Sequence, residues 1–379
     1  MKVVKVRSPF IIEVNEAGQI GSKIELSIWN GTSYPTSGFG FYSLSKLIPS
    51  ATQINTSYNV SNYVKEFIDN IKPSNYNIDP FYYVTAPLTE EYNEWVKFQI
   101  KTFKLVGSTY TQVGSTTEYV GVNGFKNYID GNQTTTDLVL TLLGNININN
   151  YYYKNTYSDL KMEYVNLLVS KATTTTTTLT LKYERIDGIV YSTTTNVLAG
   201  LSGDYNLKIP ITPIIYNSDF INGCKVTLTL TPVSGSPTVI IFYTYPIEEC
   251  KYTPVRCSFI NRYGGWKDII FFKQQTNTIA VKGTDYKLTQ DTINYNTSIG
   301  QFKTFNTNGK QTVKLNTGFV DENYSELITD LLLSETVLLD GKPVTVKTQG
   351  SDLKTSLKDR LINYEIDFEY AYNLINDVV

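Results

Sequence analysis

Runs in which apolar and polar residues alternate are the feature that most restricts how this chain can fold. Ser22–Trp29 alternates with a period of two, and Thr176–Arg185 does the same. Asp187-Gly188 follows the second run, and Ile189–Thr195 continues after it. Successive side chains of a strand point to opposite faces, so these runs predict half-buried strands, and the Asp-Gly pair predicts a hairpin turn.

The residue composition favours the same fold class over the whole length of the chain. Thr, Tyr, Asn, Ile and Val are abundant, and 30 tyrosines stand against 2 methionines. β-branched and aromatic residues suit a pleated, half-buried surface. A chain of 379 residues is long enough for more than one core. We predict a mainly β protein of serial β-sandwich-like domains, 1–131 and 132–250, followed by a C-terminal α+β module, 251–379.

One amphipathic helix is predicted within the C-terminal module. Five apolar residues recur at helical spacing and fall on one face. These residues are Tyr324, Leu327, Ile328, Leu331 and Leu332. Asp321 precedes them as the predicted N-cap, and Glu322 would favour the helix dipole in the first turn.

The last alternating run, Asn363–Tyr372, carries the clearest group of carboxylates in the sequence. Glu365, Asp367 and Glu369 would lie on one strand face, about 6.5–7 Å apart. That spacing would suit a hard cation such as Ca²⁺, or an acid–base pair acting on a glycoside. We favour a third interpretation, a solvated acidic face that meets a partner's lysines, since the sequence contains no calcium-loop motif.

A second turn signature lies in the segment CSFINRYGGWKDIIFF, which begins at Cys257. The Gly264-Gly265 pair permits the positive φ angles of a tight turn between two apolar runs. The pair lacks the spacing of a phosphate-binding loop. We therefore expect Asn261-Arg262 to fix the turn and Trp266 to pack its indole on the domain core.

Four segments of the C-terminal module also carry a family resemblance. They are NRYGGW, LNTGFVDENYSELITDLLLSE, VLLDGKPV and LINYEIDFEYAY. Together they resemble the C-terminal module of structural virion proteins from tailed phages of Bacteroidetes hosts, the crAss-like group included. The resemblance covers about residues 252–379, extends loosely to the N-terminal opening and leaves the middle uncovered. It implies a structural role in the tail, collar or baseplate and brings no catalytic residue with it.

The residue inventory excludes several classes of function. The chain has no histidine, so a Ser-His-Asp or Cys-His nucleophile cannot form within it. A net charge of −2 gives no overall basic field for nucleic acid. We find neither a signal peptide nor an apolar run that would insert into a membrane. Of the 3 cysteines, Cys224, Cys250 and Cys257, we expect buried free thiols, with a disulfide as the alternative.

Serial β-rich domains without catalytic machinery indicate a scaffold or binding protein, and the family resemblance implies a virion protein of the tail region, assembled in the cytoplasm of the bacterial host. Its partners would be copies of itself and other tail or collar proteins, and we predict no catalytic residue, no metal and no cofactor. The residues predicted to make protein contacts are Arg262, Tyr263, Trp266, Glu365, Asp367 and Glu369. One alternative is a receptor-binding tail protein that stacks Tyr151-Tyr152-Tyr153 on a host surface glycan. A second is a tail-associated glycan hydrolase that uses Asp and Glu.

Overall fold

The structure, a computed structural model, describes most of the chain as two compact units. The first unit comprises Met1–Ile247 with Ile260–Lys267, and the second comprises Glu248–Phe259 with Asp268–Val379. The described residues are 2–30, 34, 40–68, 95–133, 136–137, 140–142, 144, 150–153, 164–169, 178–197, 205–210, 222–231, 236–247, 251–348, 350 and 361–376. The predicted division into three domains stays a prediction.

Strands dominate the described residues, and the prediction of a mainly β fold is confirmed. The strands of the first unit are β1 (Lys2–Lys5), β2 (Ile11–Val14), β3 (Gly21–Trp29), β4 (Gly40–Leu47), β5 (Thr56–Asn59), β6 (Trp95–Val106), β7 (Thr109–Val122), β8 (Thr136–Asp137), β9 (Leu140–Leu142), β10 (Asn150–Tyr153), β11 (Tyr164–Val169), β12 (Thr178–Arg185), β13 (Val190–Val197), β14 (Tyr205–Pro210), β15 (Cys224–Thr231) and β16 (Thr238–Pro246). A short helix, α1 (Ser61–Lys65), follows β5.

The second unit contains the remaining elements. Its strands are β17 (Val255–Ile260), β18 (Trp266–Phe271), β19 (Gln275–Lys287), β20 (Phe302–Asp321), β21 (Val337–Leu339), β22 (Lys342–Val346) and β23 (Leu361–Tyr370), and its helix is α2 (Tyr324–Leu332). Strand β17 ends at Ile260 and strand β18 begins at Trp266. Both of these residues cluster with the first unit. Neither helix of the described ranges is long and apolar enough to cross a membrane.

The first unit opens with a six-stranded sheet in the order β4-β3-β6-β7-β1-β8. Strand β1 runs parallel to β7, and the other pairs are antiparallel. Ile24, Leu26 and Ile28 of β3 are fully buried, as their alternation predicts. They share a core with Phe98 and with residues of α1 such as Val64. The apolar side of the run Ser22–Trp29 therefore faces this core, but β3 is not half-buried as predicted, since Ser27 and Trp29 on its other side are buried as well.

The rest of the first unit contains a five-stranded sheet, β10-β16-β15-β12-β13, and a three-stranded sheet, β14-β11-β9. Strands β12 and β13 form the predicted hairpin, and Gly188 at its turn has a φ of 90°. Strands β15 and β12 pair along their whole lengths and bury Val226, Leu228 and Leu181. The prediction from alternation and the Asp-Gly pair is confirmed here.

The second unit is built on a seven-stranded sheet in the order β18-β17-β21-β22-β23-β20-β19. Strand β23 is central, and its Tyr364, Ile366 and Phe368 are buried at 2 % exposure or less. Its odd-numbered residues from 363 to 369 lie on the opposite face. The hairpin of β21 and β22 turns at Asp340 and Gly341, both with positive φ. The predicted two-faced character of the last strand is confirmed.

Helix α2 exists where its apolar spacing predicts, but it begins later than expected. Tyr324, Leu327, Ile328 and Leu331 are buried as predicted, Asp330 is buried as well, and Leu332 is half-buried. Asp321 is the last residue of β20, and Asn323 occupies the N-cap position without a side-chain hydrogen bond. The N-cap prediction was wrong because the β20–β23 pairing extends through Asp321 and Leu361. Sheet pairing therefore sets this boundary, where capping preference alone would place it two residues earlier.

Two cysteines, Cys224 and Cys257, are buried free thiols, which confirms the preferred prediction for them. Cys250 lies outside the described residues. Burial raises the pKa of the Cys224 thiol to about 12, and the thiolate is the reactive form.

We expect iodoacetamide at pH 8 to leave Cys224 and Cys257 unmodified in the native protein, because both are fully buried. The same reagent in urea is expected to modify both, and peptide mass spectrometry of the two samples provides the comparison. Rapid native alkylation at either site would contradict the described burial.

Candidate interaction surfaces

The first candidate surface is the turn between β17 and β18, here called the glycine loop (residues 261–265). The Asn261 side chain is 3 % exposed, and its Oδ1 accepts hydrogen bonds from the backbone N–H groups of Tyr263 (2.9 Å) and Gly265 (3.1 Å). Gly264 has a φ of 88°, a conformation that other residues rarely adopt. The predicted role of Asn261 in fixing the turn is thus confirmed, and of the glycine pair Gly264 takes the expected positive φ while Gly265 does not.

The glycine loop packs against the end of β7 within the first unit. The Phe125 N–H donates to the Arg262 carbonyl at 2.9 Å. A Cβ on Gly124 would lie 2.6 Å from that same carbonyl oxygen, and a Cβ on Gly264 would lie 2.8 Å from the Val122 Cβ. Two glycines therefore allow two stretches of backbone to touch, and the sequence gives no separate signal for Gly124.

The three interface residues predicted in this region differ in exposure. Trp266 is 2 % exposed, so its indole belongs to the core, as expected for its packing role. Arg262 and Tyr263 are half-buried, and the Lys5 ammonium lies 4.5 Å from the centre of the Tyr263 ring. Their assignment to protein contacts stays a prediction, and Trp266 would act in any contact only by holding the loop in shape.

The second candidate surface is the acidic row Glu365, Asp367 and Glu369 on β23. The structure brings lysines of this same chain to the row. Lys314 of β20 pairs with Glu365 at 2.7 Å, and Glu369 lies 3.0 Å from Lys347 and 3.3 Å from Lys310. Register explains these pairs, since Lys314 stands opposite Asp367 and Thr312 opposite Glu369. The row is therefore part of an internal ladder of ion pairs.

These lysines change the chemistry that the acidic row can perform. The Lys314 ammonium, with help from the Asn316 amide, holds the pKa of Glu365 below its usual range. Lys347, and after it Lys310, does the same to the pKa of Glu369. A glycosidase needs one carboxyl group with a raised pKa, and these two are shifted the opposite way. Among the described residues, no group of three or more His, Cys, Asp or Glu side chains could hold a metal ion.

We expect the ion pairs of the row to give a small stabilisation that acid removes. Because the pKa values of Glu365 and Glu369 are lower in the folded state, this stabilisation is present above their ordinary value of 4.5 and is lost as the pH falls through the folded values. Urea unfolding followed by circular dichroism at pH 7 and pH 3 measures the loss. Glu365→Gln with Glu369→Gln is the matched variant, and an unchanged pH dependence in it would contradict this account.

The third candidate surface is a two-stranded ribbon that the sequence reasoning missed, here called the β-arm (residues 279–311). Strand β20 pairs with β23 only from Thr312 to Asp321. Beyond Thr312 it pairs with β19 alone, from Ile279 opposite Gln311 to Lys287 opposite Phe302. This paired stretch is about 30 Å long at 3.4 Å per residue. The ribbon thus extends well beyond the part of the sheet in which β19, β20 and β23 lie side by side.

Almost every residue of the β-arm is exposed on both faces. Residues 279–307 are exposed except for the half-buried Leu288. Its large apolar side chains, with their exposed fractions, are Ile279 (58 %), Val281 (64 %), Tyr286 (45 %), Ile293 (98 %), Tyr295 (53 %), Ile299 (57 %), Phe302 (64 %) and Phe305 (43 %). A monomeric protein rarely exposes so many large apolar groups in one element, and such patches commonly mark contacts with other molecules.

Comparison with known proteins identifies no family for this chain. No protein-family model and no curated protein sequence matches it. Among solved structures, the calcium binding domain CBD12 of CALX1.1 matches at 9 % sequence identity, over 65 % of this chain and 96 % of that chain, with a TM-score of 0.20. A similarity that low supports no inference about this chain's fold or ligands.

Proposed function

We propose that the protein is a structural component of a tailed-phage virion, located in the tail, collar or baseplate and acting through protein–protein contacts. Its partners would be copies of itself and neighbouring tail or collar proteins, and it would assemble in the cytoplasm of the bacterial host. The observation that carries the proposal is the β-arm, an element that contributes little to the core of its own unit and exposes eight large apolar side chains.

The β-arm would make stabilising contacts in an assembly. Burying apolar surface stabilises a contact by about 25 cal/mol per Å², so even a few of these side chains would contribute several kcal/mol once covered. Exposed ribbon edges also offer unpaired backbone groups to a neighbouring strand. Both features suit a protein whose working state is an assembly.

The ion pairs of the acidic row also favour the β-arm over that row as the contact surface. Lysines of the same chain already neutralise Glu365 and Glu369, so the acidic row has less to offer a partner than the β-arm has. The family resemblance supports a structural role in a virion, and its segments include the inner half of β20, helix α2 and β23. It does not extend to most of the β-arm.

Light scattering of the purified chain, with negative-stain microscopy of the same sample, tests this function. The proposal predicts rings or other closed multimers, with masses that are integral multiples of 42.8 kDa. A single 42.8 kDa species at every accessible concentration would contradict a self-assembling role.

A further inference from the structure

We infer that the outer edge of strand β19 pairs with the same edge in a second copy of the chain, so that two copies share one continuous antiparallel sheet. This inference rests on the proposed function and adds to it the partner and the strand that meets it. Strand β19 (Gln275–Lys287) is the last strand of the seven-stranded sheet, and within the described part of the chain it pairs with β20 alone. All of its residues are exposed, so its outer backbone groups can accept a further strand.

Strand β19 lacks the features with which edge strands usually prevent such pairing. A short length, a proline, a bulge or many charges commonly protect an edge. Strand β19 is 13 residues long, contains no proline and carries Lys282, Asp285 and Lys287 as its charged residues. The bulge of the β-arm lies on the inner strand, since the shift of register leaves the extra residue on β20, where Asn306 has a φ of 51°. The outer edge is therefore long and regular.

Symmetry restricts how two copies of this edge can align. When a strand pairs antiparallel with its own copy, a two-fold axis relates the two strands and one residue faces itself. Partners across the axis lie on the same face of the sheet, so the residue at the axis fixes every other pair. An axis at Lys282 or Asp285 would bring like charges together. An axis at either residue between those two would place Val281 opposite a charged side chain.

An axis at Ala280 gives the alignment in which the two edges match. Ile279 of each copy would face Val281 of the other, and these side chains are 58 % and 64 % exposed in the single chain. Among the alignments within β19, this is the one in which both residues meet a large apolar side chain. Apolar β-branched residues in direct opposition stabilise an antiparallel pair of strands.

The polar residues of β19 are compatible with the same alignment. Thr276 would face Thr284 of the second copy, and Thr pairs of this kind stabilise neighbouring strands. Lys282 would face Thr278, away from the Lys282 side chain of the second copy. The paired segment would be Gln275–Asp285, so that both the base of the ribbon and its outer part, from residue 283, contribute to the contact. Such a contact uses the same surface on both copies and closes after two.

A cysteine at the axis tests the inference. In the variant Ala280→Cys the two thiols would face each other, close to the separation that a disulfide spans, and copper phenanthroline should convert most of the protein into a covalent dimer. Thr284→Cys is the matched control on the same strand, because its thiol would lie about 26 Å from its counterpart in the second copy. Both variants also carry Cys250→Ser, while Cys224 and Cys257 are buried. Non-reducing gels measure the yield.

Val281→Lys tests the apolar pairs separately. The lysine would face Ile279 of the second copy in both halves of the contact, so we expect self-association to weaken by about tenfold or more in sedimentation velocity. Val190→Lys is the control and should associate like the wild type, since Val190 is 48 % exposed on β13, an edge strand of another sheet. Circular dichroism of each variant excludes misfolding as the cause of a loss.

Each outcome supports or overturns the inference. Cross-linking at residue 280 without cross-linking at residue 284, together with weaker association in Val281→Lys, supports it. Cross-linking at residue 284 overturns the alignment, as does unchanged association in Val281→Lys. A wild-type chain that self-associates while residue 280 does not cross-link overturns the inference and leaves the proposed function intact, because another surface then joins the copies. A wild-type chain that stays monomeric overturns the copy-to-copy contact, while the presence of the chain in purified virions is a separate measurement of the proposed function.

Discussion

Gly124→Val is expected to lower the free energy of unfolding of the first unit by about 3 kcal/mol, toward the upper end of what overpacking costs. A Cβ at this position would lie 2.6 Å from the Arg262 carbonyl oxygen, 2.9 Å from the Tyr263 carbonyl carbon and 3.0 Å from the Gly264 nitrogen. All three are backbone atoms, so no side chain can rotate to relieve the clash. The glycine loop would have to leave its place against β7.

Tryptophan fluorescence in urea measures this effect, because Trp29, Trp95 and Trp266 all cluster with the first unit and are buried. The chain contains 3 tryptophans in total. Gly350→Val is the control, since a Cβ there would have no atom within 4 Å. If Gly124→Val unfolds at the same urea concentration as the wild type, the packing of the glycine loop on β7 is not as described.

Replacing residues 283–307 by Asn-Gly is expected to convert assemblies of this protein into monomers. Lys282 and Asn308 are cross-strand partners, so a two-residue turn can join them directly, and Asn-Gly is the preferred sequence for that turn. The replacement removes Tyr286, Phe302 and Phe305 with the outer ribbon. It keeps the hydrogen bonds from the backbone N–H of Leu374 to the Gly309 carbonyl and from that of Ile375 to the Asn308 side chain.

The same variant should keep its folding stability, because the removed residues are exposed apart from Leu288. We expect the free energy of unfolding of the second unit to change by no more than about 0.5 kcal/mol, as for surface changes in general. Sedimentation velocity measures the loss of assembly, and urea unfolding followed by circular dichroism measures stability. A shortened chain that still assembles would contradict the role given to the β-arm.

Alternation of residue type predicts the strands that border a core. Strand β3, the hairpin of β12 and β13, and strand β23 all lie where a period of two predicts them, and the apolar sets of β3 (Ile24, Leu26 and Ile28) and β23 (Tyr364, Ile366 and Phe368) are buried. The apolar spacing of helix α2 succeeds in a similar way, since its buried apolar residues are those at i, i+3, i+4 and i+7.

The β-arm cannot be predicted from the alternation of residue type, because it has no buried face that would require apolar residues at every second position. Ile279, Ala280 and Val281 are consecutive apolar residues, and both faces of their strand are exposed. Its length follows from cross-strand register, which depends on residues far apart in the chain. The lysine partners of the acidic row could not be predicted either, because they also depend on strand register. Lys310 and Lys314 are more than fifty residues from Glu369 and Glu365 along the chain.

Two groups of predicted site residues stay untested. The side chains of Tyr151, Tyr152 and Tyr153, which the glycan-binding alternative requires, lie outside the described part of the chain. The predicted roles in protein contacts also stay predictions, although the positions of these residues beside the glycine loop and on β23 are defined; they are Arg262, Tyr263, Trp266, Glu365, Asp367 and Glu369.

Quantitative mass spectrometry of purified virions, from a tailed phage of the kind that the proposed function predicts to encode this chain, tests the central claim most directly. Peptides of the chain are counted against those of a virion protein with a known number of copies. The account predicts a fixed stoichiometry of several copies per particle that persists through repeated density-gradient purification. Absence of the chain from particles, or an amount that falls with each purification step, would contradict a structural role.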